Sequence, residues 1–366
     1  MWLALVIGIA IAIALLTYGI LNYYPPLGGK VSNERRLTNE RSSNYFKGKF
    51  VNMIPTVMEM GFKETIIVLL QFIRGNPNGK PRKPIVPQFL SPQHFQHNEE
   101  ATLTWFGHSA LLLTLEGKTL FIDPMLGRTP SPFSLFGGKR YSTVLPIDVE
   151  QLPTLDAVLL THDHYDHLDY GTIMKLKHKV KRFIVPLGVA AHLERWGVEP
   201  TSITEHDWWD ELTFEGLSLA CTPARHFSGR SITNRFSTLW CSWVVAGQHT
   251  KVFFSGDSGY GPHFEQIGEK YGPFDLTLME CGQYDQRWSA IHMLPEETIQ
   301  AHLDIRGRVM IPIHWGAFTL ALHDWTDPVE RAVQAAEQQG AVICTPRIGE
   351  PVYIGAAAHP SSAWWR

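Results

Sequence analysis

Hydrophobic and polar positions fall into three regimes along the chain. Residues 2–21 form an almost unbroken apolar run, with Thr17 its one clearly polar member. That length matches the roughly 20 helical residues that cross a bilayer core. Trp2 stands at one end and Tyr23 and Tyr24 at the other, as interfacial aromatics do, and Pro25 and Pro26 then stop the helix. In the second regime, 27–98, apolar residues concentrate at 65–73 (T-I-I-V-L-L-Q-F-I), between Lys63 and Arg74. This run is too short to span, so it predicts either a core helix or an interfacial one. Pro- and Gly-rich 75–87 reads as a linker.

From residue 101 short apolar runs predict strands. Those at 103–106, 110–115 and 118–122 form a meander, with Glu116 and Gly117 as a turn. Further strands are predicted at 156–160, 182–185, 217–221, 239–246, 252–255, 276–280 and 309–313. Helical stretches intervene at 170–179, 188–196, 296–304 and 328–338, the last with Pro328 at its start and Gly340 just past its end. Strands mixed with helices predict a layered α/β architecture. No internal repeat is visible. The stretch 127–141, rich in Ser, Pro, Gly and Phe, is expected to be a mobile loop near the site.

Composition is globular: 366 residues, 44% hydrophobic and 18% charged. Cys221, Cys241, Cys281 and Cys344 form no C-x-x-C pair and read as buried free thiols. A net charge of −3 gives no case for nucleic-acid binding. The charge is uneven, however. Residues 1–24 carry no charged side chain, 25–98 carry eleven Lys/Arg against four Asp/Glu (net +7), and 99–366 is net −10. A basic segment after an apolar run suggests an anionic membrane surface. A secretory signal peptide would show a basic start, a shorter apolar core and a small-residue cleavage site. None is clear, so a retained single-pass anchor is the favoured reading. Lys30, Arg35, Arg36 and Arg41 follow the run and no Lys or Arg precedes it, which places the main body in the cytoplasm.

Chemistry concentrates in T-H-D-H-Y-D-H-L-D, residues 161–169. His162, His164, Asp166 and His167 each offer a nitrogen or oxygen that zinc accepts. The run follows a predicted strand and precedes a predicted helix, where α/β proteins place their sites. His226 (T-P-A-R-H-F-S-G-R), Asp257 (F-F-S-G-D-S-G-Y) and His314 (I-P-I-H-W-G) each follow a later predicted strand and can converge on one sheet edge. Asp123 in I-D-P either orients an imidazole or forms a turn. His108 either supports the site or makes a backbone hydrogen bond. His178, His192, His249 and His302 are expected to be solvated. Trp208, Trp209, Trp240, Trp243 and Trp288 read as core or pocket wall.

The H-x-H-x-D-H run followed by a His, an Asp and a His on later strand ends resembles the metal signature of the metallo-β-lactamase superfamily. The resemblance covers roughly 100–355. Within it, G-H-S-A-L-L-L, F-I-D-P-M-L, G-D-S-G-Y and I-H-W-G most resemble N-acylphosphatidylethanolamine-hydrolysing phospholipase D and its bacterial relatives. The resemblance implies a four-layer αββα sandwich over 99–366, after an anchor at 1–24 and a basic extension at 25–98. It implies two zinc ions, one held by His162, His164 and His226, the other by Asp166, His167 and His314, with Asp257 shared. His292, in I-H-M-L-P-E-E, matches a pocket histidine that assists the leaving group or contacts phosphate; the alternative is a residue that merely starts a helix. The catalytic set expected is therefore Asp166, Asp257 and His292. The implied substrate is a membrane lipid, cut to phosphatidic acid and an N-acylethanolamine. A lactonase or carboxylic-ester hydrolase would use the same ligands. A membrane-tethered binding protein with a structural metal would be expected to lack one.

Overall fold

The structure is a computed structural model that describes residues 1–57, 61–95, 100–133 and 137–366. The chain opens with α1 (Trp2–Tyr23), α2 (Asn33–Asn39), a hairpin of β1 (Tyr45–Phe46) and β2 (Lys49–Phe50), and α3 (Phe62–Arg74). The next strands are β3 (Thr102–Trp105), β4 (Leu111–Leu115), β5 (Lys118–Ile122), β6 (Leu155–Leu159), β7 (Val180–Pro186) and β8 (Ile203–His206). They make one sheet. A second sheet holds β9 (Glu211–Phe214), β10 (Leu217–Thr222), β11 (Ser242–Ala246), β12 (Lys251–Phe254), β13 (Phe274–Glu280) and β14 (Gly307–Ile313). β15 (Pro351–Tyr353) returns to pair antiparallel with β3. The described residues thus place the fold in the αββα sandwich class.

Strands buried on both faces need cover on both, and the side-chain period of two supplies it. Leu111, Leu113 and Leu115 of β4 point into the core between the sheets, against Leu219, Trp243 and Phe254. Leu112 points the other way, to a core that includes Ile173 of α4 (Tyr170–Leu176) and Leu193 of α5 (Ala190–Arg195). The far face of the second sheet is closed by α6 (His263–Tyr271), α7 (Pro295–Asp304) and α8 (Asp327–Gln339), through Ile267, Ile299 and Ala332. The predicted meander is present: β4 and β5 meet at Glu116 and Gly117, both with positive φ (50° and 71°), as a tight hairpin requires. Gly340 takes the left-handed conformation that ends α8.

Directions matter for the site. β5, β6 and β7 run parallel, as do β12, β13 and β14. β3 and β10 are each two antiparallel steps from a strand of these sets. The carboxyl ends of β3, β5 and β6 therefore share one edge of their sheet, and those of β10, β12, β13 and β14 one edge of the other.

The residues before β3 wrap the sandwich. Phe50 is buried in the core between the sheets, and its N–H donates to Phe236 O at 2.9 Å. Arg35 pairs with Glu194 and Glu205. Asn76 donates to Asp324 at 2.7 Å. α1 has no buried residue and α3 has one, Val68, so the core option for 65–73 is excluded. The expected boundary at 98/99 and part of the expected loop 127–141 lie outside the described residues. The four cysteines are free and buried, as expected.

Candidate metal centre

The strand ends bring all seven expected donor residues together. The loop after β6 supplies His162, His164, Asp166 and His167; β10, β12 and β14 release His226, Asp257 and His314. His162 Nε2 and His226 Nε2 lie 2.9 and 3.1 Å from His164 Nδ1. Asp257 Oδ2 is 3.8 and 3.7 Å from the first two. On the other side, His314 Nε2 lies 3.1 Å from Asp257 Oδ2 and 3.2 Å from Asp166 Oδ2. His167 Nε2 lies 3.1 Å from Asp257 Oδ1 and 3.6 Å from Asp166 Oδ2. Asp257 thus touches both groups.

Protons are assigned from the outside in. His226 Nδ1 faces Ile291 O at 3.0 Å and His167 Nδ1 faces Asp123 Oδ2 at 2.7 Å. His162 Nδ1 faces Thr161 Oγ1 at 3.0 Å, whose own proton goes to Asp123 Oδ2 at 2.6 Å. His314 Nδ1 faces Gly282 O at 3.3 Å. Each outward nitrogen is thereby given a partner, and each of these rings turns its Nε2 to the centre. His167 Nε2 and Asp257 Oδ1 are buried and close, yet neither makes a hydrogen bond. Ring nitrogens and carboxylate oxygens packed this closely fit a cation, and imidazole with carboxylate is a transition-metal set. Electrostatics agree. Burial holds His162 and His226 well below the ordinary imidazole range. Burial also opposes a charge on His314, but Asp257 and Asp166 pull it up to about 10, so this half of the site calls for positive charge.

Three neighbours support the centre, and two of them, His108 and Asp123, hold left-handed backbones at φ 57° and 42°, as does His314 at 66°. Such conformations cost energy and persist where surrounding contacts enforce them. His108 Nε2 lies 2.9 Å from Asp166 Oδ2. Burial, chiefly, with His314 beside it, takes His108 down to about 3, so the neutral ring donates its proton to Asp166. Asp123 accepts from Thr161 N–H at 2.8 Å as well as from Thr161 Oγ1 and His167, and so orients that imidazole as well as turning the chain. The third neighbour, Glu280, escaped the sequence reading. It ends β13, is fully buried, and accepts from His292 Nδ1 at 3.0 Å and from Met293 N–H at 2.8 Å. The signal available was a carboxylate closing an apolar strand, the same signal that marked His314. His292 stays partly open, its ring 5.0 and 5.1 Å from those of His226 and His314.

Two expectations fail. His192 and His302 are buried, whereas His178 and His249 are exposed as expected. His302 Nδ1 meets Thr277 Oγ1 at 2.7 Å. His192 Nε2 meets Asp163 Oδ2 at 3.1 Å while its Nδ1 accepts from Gly29 N–H at 3.0 Å. A helical residue's burial depends on which face the sheet covers, and neither helix shows a periodic stripe strong enough to tell. Arg230, also buried and unforeseen, donates to the carbonyls of Asp163 and Leu168 and to that of Pro26. The back of the metal loop is thereby tied to the chain just after α1. Trp208, Trp240 and Trp243 are core; Trp209 and Trp288 are half-buried.

A model of the beta-lactamase superfamily domain matches residues 118–315. The chain belongs to the metallo-β-lactamase superfamily. An uncharacterized protein of Mycobacterium tuberculosis is 39% identical over 339 residues, covering 90% of this chain and 89% of that one. The N-acyl-phosphatidylethanolamine-hydrolyzing phospholipase D 1 of Caenorhabditis elegans is 34% identical over 243 residues, 63% of this chain and 68% of that protein. Isothiocyanate hydrolase from Delia radicum gut bacteria has the same fold, with TM-score 0.55 at 21% identity, over 70% of this chain and all (100%) of that one. This member of the superfamily is a metal-dependent hydrolase.

Proposed function

We propose that the chain is a membrane-anchored dinuclear zinc hydrolase that cuts N-acylphosphatidylethanolamine into phosphatidic acid and an N-acylethanolamine. One observation carries the reading: the carboxylate of Asp257 lies between two separate donor groups. His162, His164 and His226 are assigned to one ion, Asp166, His167 and His314 to the other, and Asp257 to both. Bound zinc would polarise the phosphate and bring a water's pKa down to about 7. The rest falls to the chain. Water's oxygen goes to phosphorus, the P–O bond to the ethanolamine oxygen breaks, and that oxygen takes a proton. His292 is suited to deliver it, because Glu280 fixes its Nδ1 and leaves Nε2 for the pocket. The lipid substrate is supported by the worm relative's activity and by α1, which is long and apolar enough to cross a membrane. In this reading 1–24 is the anchor, 25–98 the membrane-proximal extension and 99–366 the hydrolase domain. The Lys/Arg bias after α1 puts that domain in the cytoplasm.

The test is the full chain in lipid nanodiscs loaded with N-acylphosphatidylethanolamine. N-acylethanolamine and phosphatidic acid should appear, and His164→Ala should abolish both. Release of a free fatty acid instead would overturn the phosphodiesterase reading in favour of a carboxylic-ester or lactone hydrolase.

A further inference from the structure

The helix α3 shows its apolar residues to solvent. Phe62, Ile66, Leu69, Leu70 and Ile73 recur at the spacing of one helical stripe, and their exposures are 82, 39, 53, 58 and 73%. A stripe of this kind normally faces a core; this one does not. The opposite side meets the protein, through buried Val68 and through Gln71 Oε1, which accepts from Arg287 Nη1 at 2.9 Å. Lys63 and Arg74, eleven residues or three turns apart, stand together on one flank of the stripe, both exposed. Long cationic side chains there can reach upward to anionic groups while the stripe sinks.

A second apolar surface lies just before it. Phe46, Val51, Met53 and Val57 are all more than 40% exposed, around a groove of about 650 Å³ that Lys47 and Lys49 also line. The groove floor reaches the metal centre: Asn52 Nδ2 donates to His226 O at 2.8 Å, and His226 N–H donates to Asn52 Oδ1 at 3.1 Å. Exposed apolar surface of this extent marks an interaction site. The net +7 of residues 25–98 says which kind. A second copy would bring the same cations face to face, whereas an anionic headgroup layer complements both the stripe and its basic flank.

We propose that α3 and the 46–57 groove dock in the headgroup layer of an anionic bilayer, as a second membrane contact beside α1. Docking there seats the His226 side of the centre at the lipid surface. The proposal rests on the reading of α1 as a membrane span.

The four native cysteines are buried, so Leu69→Cys gives one accessible thiol for an environment-sensitive dye. The full chain goes into nanodiscs of phosphatidylcholine alone or with phosphatidylglycerol, with a spin-labelled lipid as quencher. The Leu69 probe should be quenched in anionic discs. Lys63→Glu with Arg74→Glu should cut that quenching several-fold, since each cation near such a surface is worth about 1 kcal/mol, or roughly fivefold. Equal quenching in neutral discs overturns the anionic specificity. A chain that high salt strips from the discs overturns the span and this proposal together. A retained chain whose probe stays unquenched overturns the docking alone, and disulfide-linked pairs through residue 69 would show that a second copy covers the stripe.

Discussion

Two regions of this molecule break the usual inside–outside rule in opposite directions. At the strand ends the chain buries His162, His167, His226, Asp257 and His314, groups that water would normally keep. In α1 and α3 it leaves leucines, isoleucines and phenylalanines outside. Each exception names what is expected to cover it. Buried ring nitrogens and carboxylate oxygens aimed at one another call for cations, and an exposed apolar stripe with a basic flank is proposed above to take lipid. Under the proposed function the two belong in one chain, because a centre that cut a lipid headgroup would need the bilayer at its mouth.

The comparison breaks most completely at Asp257. Asp257→Asn removes the charge shared by both donor groups, so metal content should fall from near two ions to less than one. Turnover should drop by on the order of 10⁴-fold, the scale of several kcal/mol of lost transition-state stabilisation. Elemental analysis paired with the lipid assay reads both; a mutant that keeps two ions would remove Asp257 from its shared position. His292→Ala is the next largest. It should lower turnover by about 10²–10³-fold while the metal count stays, within the range general acid help supplies. If the metal count falls with it, His292 is a ligand and not a proton carrier. Asp123→Asn is smaller again. Its carboxylate only orients His167 and the Thr161 turn, so metal affinity measured by chelator competition should weaken about 10–100-fold.

How much of this was legible follows the same division. The strands were readable because their apolar runs are buried on both faces, and the donors because each sits where such a run stops. β8, β9, β15 and α6 were missed: these strands are short and sit at or near the sheet edges, half polar, and α6 has little apolar length to announce it. Glu280 and Arg230 were missed for another reason. Their roles rest on partners 12 and 67 residues away, His292 and Asp163, and a single sequence does not reveal such pairs. His192 illustrates the same blindness, since what buries it includes Gly29, from the basic extension 163 residues earlier in the chain.

The smallest expected effect sharpens the apolar half of the contrast. Leu69→Ser should shift stability in detergent by no more than about 0.5 kcal/mol, because its side chain touches little protein. Leu113→Ala, in the core between the sheets, should cost about 2–5 kcal/mol. Thermal unfolding of the two variants side by side is the check, and a large loss at Leu69 would place α3 in a core.

The measurement that bears most directly on the centre's chemistry is hydrolysis in heavy-oxygen water. The full chain, loaded with zinc, would act on N-acylphosphatidylethanolamine, and both products would be weighed by mass spectrometry. Attack on phosphorus puts the label in phosphatidic acid and none in the N-acylethanolamine. Label found only in a released carboxylate would mean attack on carbon, and would contradict the phosphodiesterase account while leaving the metal centre in place.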